Sequence, residues 1–196
     1  MQSAQRFFKI SFAIFARFAV HSNKRMNQVV IALGSNIEKE RNLPRAIALL
    51  REMCVVTAVS PIYETEPVGL LNQPNFWNAA VLIQTDLTAG EIKQQIIGSI
   101  ETKLKRVRQA DKNAPRTIDA DIVLFNDGVF EYNGDDGRSR PVPDPDLSKF
   151  AHVAVPVADL LPDFPHPETG ELLGELAKRV LAEVVEVFGR SPLTKV

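Results

Sequence analysis

Apolar and polar positions follow two different periods along this chain, and each change of period marks an element. Val29-Val30-Ile31-Ala32-Leu33 is a short apolar run that stops at the turn-forming triplet Gly34-Ser35-Asn36, which predicts a strand. From Asn42 to Met53 the apolar residues Leu43, Ala46, Ile47, Leu49 and Leu50 recur at helical spacing. Val55 to Tyr63 is rich in β-formers, whereas Thr65 to Pro74 carries prolines and a glycine and reads as a loop. Phe76 to Thr85 predicts another strand. Thr88 followed by Glu91 makes a capping box, heading a helix that turns Ile92, Ile96, Ile97, Ile100 and Leu104 inward. A basic loop leads to a strand over Thr117 to Phe125, turn signals predict a hairpin within 126–145, and Leu172 to Val187 predicts a closing helix.

The order β-α-β-β-α-β points to an α+β fold. The arrangement expected is a ferredoxin-like βαββαβ sandwich, with helices on one face of an antiparallel sheet, an additional hairpin and a C-terminal helix. No repeat or low-complexity linker divides the chain, so one domain over residues 26–190 is expected.

Composition narrows the function classes. The 196 residues are 45% hydrophobic and 24% charged, enough for one domain with a real core. A net charge of −1 argues against non-specific nucleic-acid binding, which needs a basic surface. The single cysteine, Cys54, sits in an apolar run and reads as a small buried hydrophobe in a reducing compartment. Arg6, Lys9, Arg17, Lys24 and Arg25 make residues 1–25 basic and free of acids, among five phenylalanines' worth of aromatic character that never forms a run long enough to span a bilayer. Two origins fit that stretch: an organelle-targeting peptide, or an upstream extension ahead of Met26. The fold is expected to begin near Met26. A cytoplasmic monomer is expected, organellar if the leader is genuine.

The candidate chemistry lies between Arg106 and Phe125. On a strand, Asp119 and Asp121 share a face at ~7 Å spacing. Two carboxylates aimed at one spot repel unless a cation lies between them, and such oxygen ligands suit Mg²⁺ together with substrate phosphates. Upstream, Arg106, Arg108, Lys112 and Arg116 supply phosphate-binding cations, and Arg106 and Arg108 share a face if that stretch is extended. Taken singly, the acidic pair also fits a solvated strand face and the basic run a solvated loop; together, separated by Pro115, they fit a phosphate site.

Four ordered segments carry a resemblance. They are Ile31-Ala32-Leu33-Gly34-Ser35-Asn36; Ser60-Pro61-Ile62-Tyr63-Glu64-Thr65-Glu66-Pro67-Val68-Gly69; Gln73-Pro74-Asn75-Phe76-Trp77-Asn78; and Glu101 through Ala114-Pro115-Arg116-Thr117-Ile118-Asp119-Ala120-Asp121. In these the sequence resembles the 6-hydroxymethyl-7,8-dihydropterin pyrophosphokinases of folate biosynthesis. The resemblance implies small-molecule substrates: ATP, and a pterin whose hydroxymethyl oxygen attacks the β-phosphorus, with AMP leaving. It implies two Mg²⁺ ions on Asp119 and Asp121, and assistance from Arg106 and Arg116. Glu101, Arg108, Lys112 and Asp144 would meet ATP, and Thr65, Glu66, Val68, Phe76, Asn78 and His152 the pterin. The loops Pro67–Pro74 and Lys105–Pro115 would act as lids.

The chain departs from that family around residues 143–153. Asp144 stands where a histidine faces the nucleotide phosphates, Phe150 where an arginine is usual, and His152 where a second stacking aromatic is usual. Those departures keep a diverged enzyme for another pterin-like substrate as the alternative. A non-catalytic pterin- or nucleotide-binding protein is disfavoured by the intact acidic pair, and an RNA-binding module by the net negative core.

Overall fold

The computed structural model describes residues 26–111, 113–134, 137–189 and 191–196. Lys112 and the basic stretch 1–25 lie outside the described residues. The elements run β1 (Asn27–Ser35), α1 (Lys39–Met53), β2 (Val55–Val59), β3 (Tyr63–Thr65), β4 (Phe76–Thr85), then a continuous helix α2 made of Ala89–Glu91, Ile92–Ile97 and Gly98–Lys103. There follow β5 (Asp119–Phe125), β6 (Phe130–Asn133), β7 (Ser139–Val142), a 3₁₀ turn at Pro145–Ser148, α3 (Ala151–Leu160), α4 (Leu173–Phe188) and β8 (Leu193–Lys195).

β1 and β4 form the centre of a wholly antiparallel sheet, β1 pairing with β4 and β5, and β4 in turn with β2 and β3. β8 adds to β3, and β6 with β7 forms the separate hairpin expected within 126–145. The fold is therefore a mixed α+β one.

The expectation of helices on one face is corrected. α1 and α2 cover one face through Val29, Ile31, Leu33, Ala79, Val81, Ile83, Ala120 and Ile122. α3 and α4 cover the other through Val30, Ala80, Val123 and Leu124. The strands demand this: β1, β4 and β5 carry unbroken apolar runs, and a run apolar on both faces exposes core residues unless both are covered. α3 was not read from the sequence, because Ala151–Leu160 is apolar nearly all round and holds Pro156, which removes an internal donor.

Local signals explain the remaining elements. The Thr88–Glu91 capping box closes the start of α2, Glu91 Oε2 accepting from Thr88 N–H at 2.8 Å. Ala120 faces the core as its strand position requires. Cys54 is half-buried and donates its thiol to Leu50 O at 3.1 Å. Burial pushes that thiol up to about 11, so it behaves as a small apolar residue.

Candidate active site

The second face of the sheet is covered by helices at one end only. Beyond Val30, Ala80 and Val123, the same face continues as Ala32, Gly34, Asn78, Asp119 and Asp121, and these line a cavity of about 610 Å³. Register brings them together: Gly34 pairs with Asn78 on one side and with Asp119 on the other, forming one row across β4, β1 and β5. Gly34 keeps that row close, because a Cβ there would sit 3.1 Å from Asn78 Oδ1. Asn78 Nδ2 donates to the Thr65 hydroxyl at 2.8 Å, which fixes its side chain between β3 and β4. Thr65, Glu66, Val68, Phe76, Asn78 and His152, the residues expected around a pterin, all line this cavity. So do Asp119, Asp121, Asp144 and Arg116.

Each member of the acidic pair has its own cation. Asp119 accepts from Arg116 Nη1, and Arg106 Nη2 lies 3.9 Å away. Asp121 Oδ1 is 3.1 Å from Lys93 Nζ. Burial, and then repulsion from Asp121, push the Asp119 carboxyl above its ordinary range; Arg116 and Arg106 oppose them. Arg116 also lies over the Phe76 ring, 6.0 Å from its centroid, so one guanidinium touches both the acidic pair and the aromatic wall.

A second recess of about 320 Å³ lies behind the pair, lined by Lys93, Glu101, Arg106, Arg108 and Arg140. Two of the expected ATP residues are here: Glu101 is held by Arg108 at 2.9 Å, while Asp144 is in the larger cavity. The pairs Lys93–Asp121 and Arg106–Asp119 each have one member lining either space, so together they form the partition between them. Arg106 and Arg108 both line this recess, at different depths. The stretch is neither strand nor helix; Arg106 is turned inward at 9% side-chain exposure, and Arg108 stands at 58%.

Residues 30–162, more than half of the chain, match the 7,8-dihydro-6-hydroxymethylpterin-pyrophosphokinase (HPPK) family. The chain belongs to the HPPK family. It is similar to the 2-amino-4-hydroxy-6-hydroxymethyldihydropteridine pyrophosphokinase of Bacillus subtilis, 40% identical over 139 residues that cover 69% of this chain and 79% of the relative. The protein of the same name from Pseudomonas aeruginosa is 33% identical over 164 residues, 82% of this chain and 96% of the relative. A crystal structure of Plasmodium falciparum HPPK-DHPS matches with a TM-score of 0.71 at 14% identity, over 89% of this chain and 49% of that longer one, which shows a shared fold. As a member of a pyrophosphokinase family the protein is an enzyme that transfers pyrophosphate.

In this HPPK-family chain the altered segment lies against the acidic pair. Asp144 accepts from Asp146 N–H at 2.8 Å, and burial, helped by repulsion from Asp121 and Asp146, pushes its carboxyl up to about 6. His152 stacks on Phe150 with centroids 5.3 Å apart and planes at 27°. Burial holds the imidazole below its ordinary range, so near neutral pH it is an uncharged aromatic face. The Asp144 shift has a stability consequence. The folded carboxyl titrates near 6 against an ordinary value of 3.8, so its favourable contribution is complete below about pH 4 and is lost as pH rises through 6. Asp144→Asn keeps the acceptor for Asp146 and removes the charge. It is expected to be more stable than wild type by ~1–2 kcal/mol at pH 8 and equal to it near pH 4, in urea melts at the two pH values. A constant difference at both would show that charge is not the cause.

Two features of the candidate site were not singled out from the sequence. Lys93 is buried at 9% exposure in the apolar arc of α2, and a lysine among Ile92, Ile96, Ile97 and Ile100 was the available signal. Asn36, at the end of β1, ties the two expected lids together. Its Nδ2 donates to Gln73 Oε1 at 2.8 Å and to Pro74 O at 3.1 Å, while its Oδ1 accepts from Arg116 N–H at 2.8 Å. Gln73 Nε2 then donates to Asn113 O at 2.9 Å, joining the loop before β4 to the loop before β5. The turn residues Gly34-Ser35-Asn36 showed where the strand ends, but not which loops would meet there.

Proposed function

We propose that this enzyme transfers pyrophosphate from ATP to the hydroxymethyl group of 6-hydroxymethyl-7,8-dihydropterin. The observation that carries this reading is one cavity lined by both an aromatic-and-amide pocket (Phe76, Asn78, Thr65, His152) and a paired carboxylate–guanidinium cluster (Asp119, Asp121, Arg116). A flat heteroaromatic ring is recognised by faces and edge hydrogen bonds together. Phe76 and His152 supply faces; Asn78 and the Thr65–Val68 segment supply polar edge groups. The antiparallel order β5-β1-β4 with β2 and β3 beyond supports the ferredoxin-like reading of the sheet. A single-domain monomer in the cytoplasm completes this reading.

The acidic pair fits Mg²⁺. Among the described residues no group of three or more His, Cys, Asp or Glu could hold an ion by itself. Mg²⁺ commonly takes one or two carboxylates and completes its shell with water and substrate phosphates. Asp119 is held above its ordinary range partly by Asp121, and that repulsion is what a cation relieves. Asp119 and Asp121 would hold the metal, which when bound neutralises phosphate charge and aligns the displacement. Arg116 and Arg106 stand where they can stabilise charge on the transferring group, and Arg108 and Glu101 border the recess proposed for the nucleotide. The pterin hydroxyl oxygen would bond to the β-phosphorus and give up its proton to solvent, as the bond from that phosphorus to the oxygen bridging the α-phosphate breaks and AMP leaves. The latched lids exclude water, so that ATP is not hydrolysed.

Asp144 favours the second reading, a diverged enzyme for a different pterin-like substrate, because it adds negative charge beside Asp121 where phosphates would lie. AMP release from ATP, measured with and without the dihydropterin and with and without EDTA, separates the readings. The expected result is pterin-dependent AMP formation abolished by EDTA. Folded protein that binds ATP but releases no AMP with this pterin overturns the first reading in favour of the second.

A further inference from the structure

Lys93 stands in the partition between the two cavities, and an irregularity of α2 places it there. Ile92–Ile97 is a π-helical turn, closed where Gly98 N–H bonds to Lys93 O. Such turns are rare and gather at functional sites. Within this one a lysine is buried at 9% exposure among isoleucines. Its Nζ donates to Ala120 O at 2.9 Å and to Asp121 Oδ1 at 3.1 Å, and lies 3.8 Å from Glu101 Oε1. An ammonium has three N–H donors. Two of them are engaged by Ala120 O and Asp121 Oδ1, and Glu101 stands within ion-pair distance of the same ammonium, so Lys93 is committed to groups of the protein and acts through Asp121.

We propose that Lys93 is a positioning residue that sets how Asp121 meets the metal. It occupies one lone pair of Oδ1, so Oδ2 is the oxygen left clear for the ion. Its fixed charge also weakens ion binding to the acidic pair until nucleotide phosphates complete the coordination shell. Even with this contact Asp121 keeps 44% side-chain exposure, so Lys93 is the ion-pair partner among the described residues that fixes its orientation. The inference rests on the reading of Asp119 and Asp121 as the metal pair.

The test uses the full chain and Lys93→Met, which keeps length and loses charge. Mn²⁺ binding without nucleotide, followed by electron paramagnetic resonance, is expected to tighten about tenfold, while kcat falls about 10–100-fold and the KM for pterin stays within about twofold. Lys93→Arg, which restores a cation, is expected to return Mn²⁺ affinity toward wild type. A change in these opposite directions is not what lost packing produces. Unchanged or weaker Mn²⁺ binding in Lys93→Met, or a kcat within about twofold of wild type, overturns the proposal. Should Lys93→Met fail to fold, lysine-ammonium NMR of the wild type decides: one slowly exchanging ammonium broadened by Mn²⁺ is expected, and its absence overturns the proposal. Wild type that binds Mn²⁺ but releases no AMP defeats the pterin reaction alone, since the ion titration still reports on Lys93.

Discussion

Asp121→Ala is expected to lower pterin-dependent AMP release about 10³-fold while the protein stays folded. The loss follows from position: Asp121 is one of two adjacent carboxylates lining the main cavity, and no cluster of three acidic or imidazole ligands among the described residues stands ready to replace it. The fold survives because Lys93 keeps Glu101 and the Ala120 carbonyl when Asp121 is gone. Asp119, released from its neighbour's repulsion, becomes more acidic, so the remaining carboxylate stays charged. Steady-state AMP release and circular dichroism, measured on one preparation, check both halves. Activity within about tenfold of wild type would remove the acidic pair from the mechanism.

Arg116→Ala is expected to reduce kcat by about 10²–10³-fold, with a smaller rise in the KM for pterin. Arg116 is turned inward at 13% side-chain exposure, pairs with Asp119 through Nη1, donates from Nε to Ala114 O at 3.2 Å, and lies over Phe76. It thus orients one acidic group while facing the space where phosphate charge moves. Arg116→Lys keeps the charge but not the planar fork, and is expected to recover less than about tenfold of the loss. Full activity in the lysine variant would mean that charge alone is required there. A loss confined to pterin KM would move Arg116 from the transferring phosphate to the aromatic wall.

Much of the site was legible because local rules carry it. Asp119 and Asp121 share a face because strand residues two apart must, and Ala120 between them faces the core for the same reason. The residues expected around the pterin came from widely separated segments, and their meeting in one cavity follows from a register the motifs only implied. Arg106 and Arg108 show where the local rule stopped. Both reach the second recess, but the chain there is irregular and no strand, so Arg106 is buried beside Asp119 while Arg108 stays half exposed on Glu101. α3 escaped notice because an all-round apolar segment containing Pro156 has no period to read.

The sequence by itself determined the strands β1, β4 and β5, the capped helix α2, the hairpin and the acidic pair, since periodicity, caps and turn residues act over a few neighbours. Only the tertiary structure decided that helices cover both faces, that Asn36 joins two loops, and that Lys93 crosses from α2 to hold Asp121. The physical reason is range. Which lysine neutralises which carboxylate depends on how two layers pack around the edge of a sheet, and residues 28 positions apart in the chain carry no local mark of that meeting.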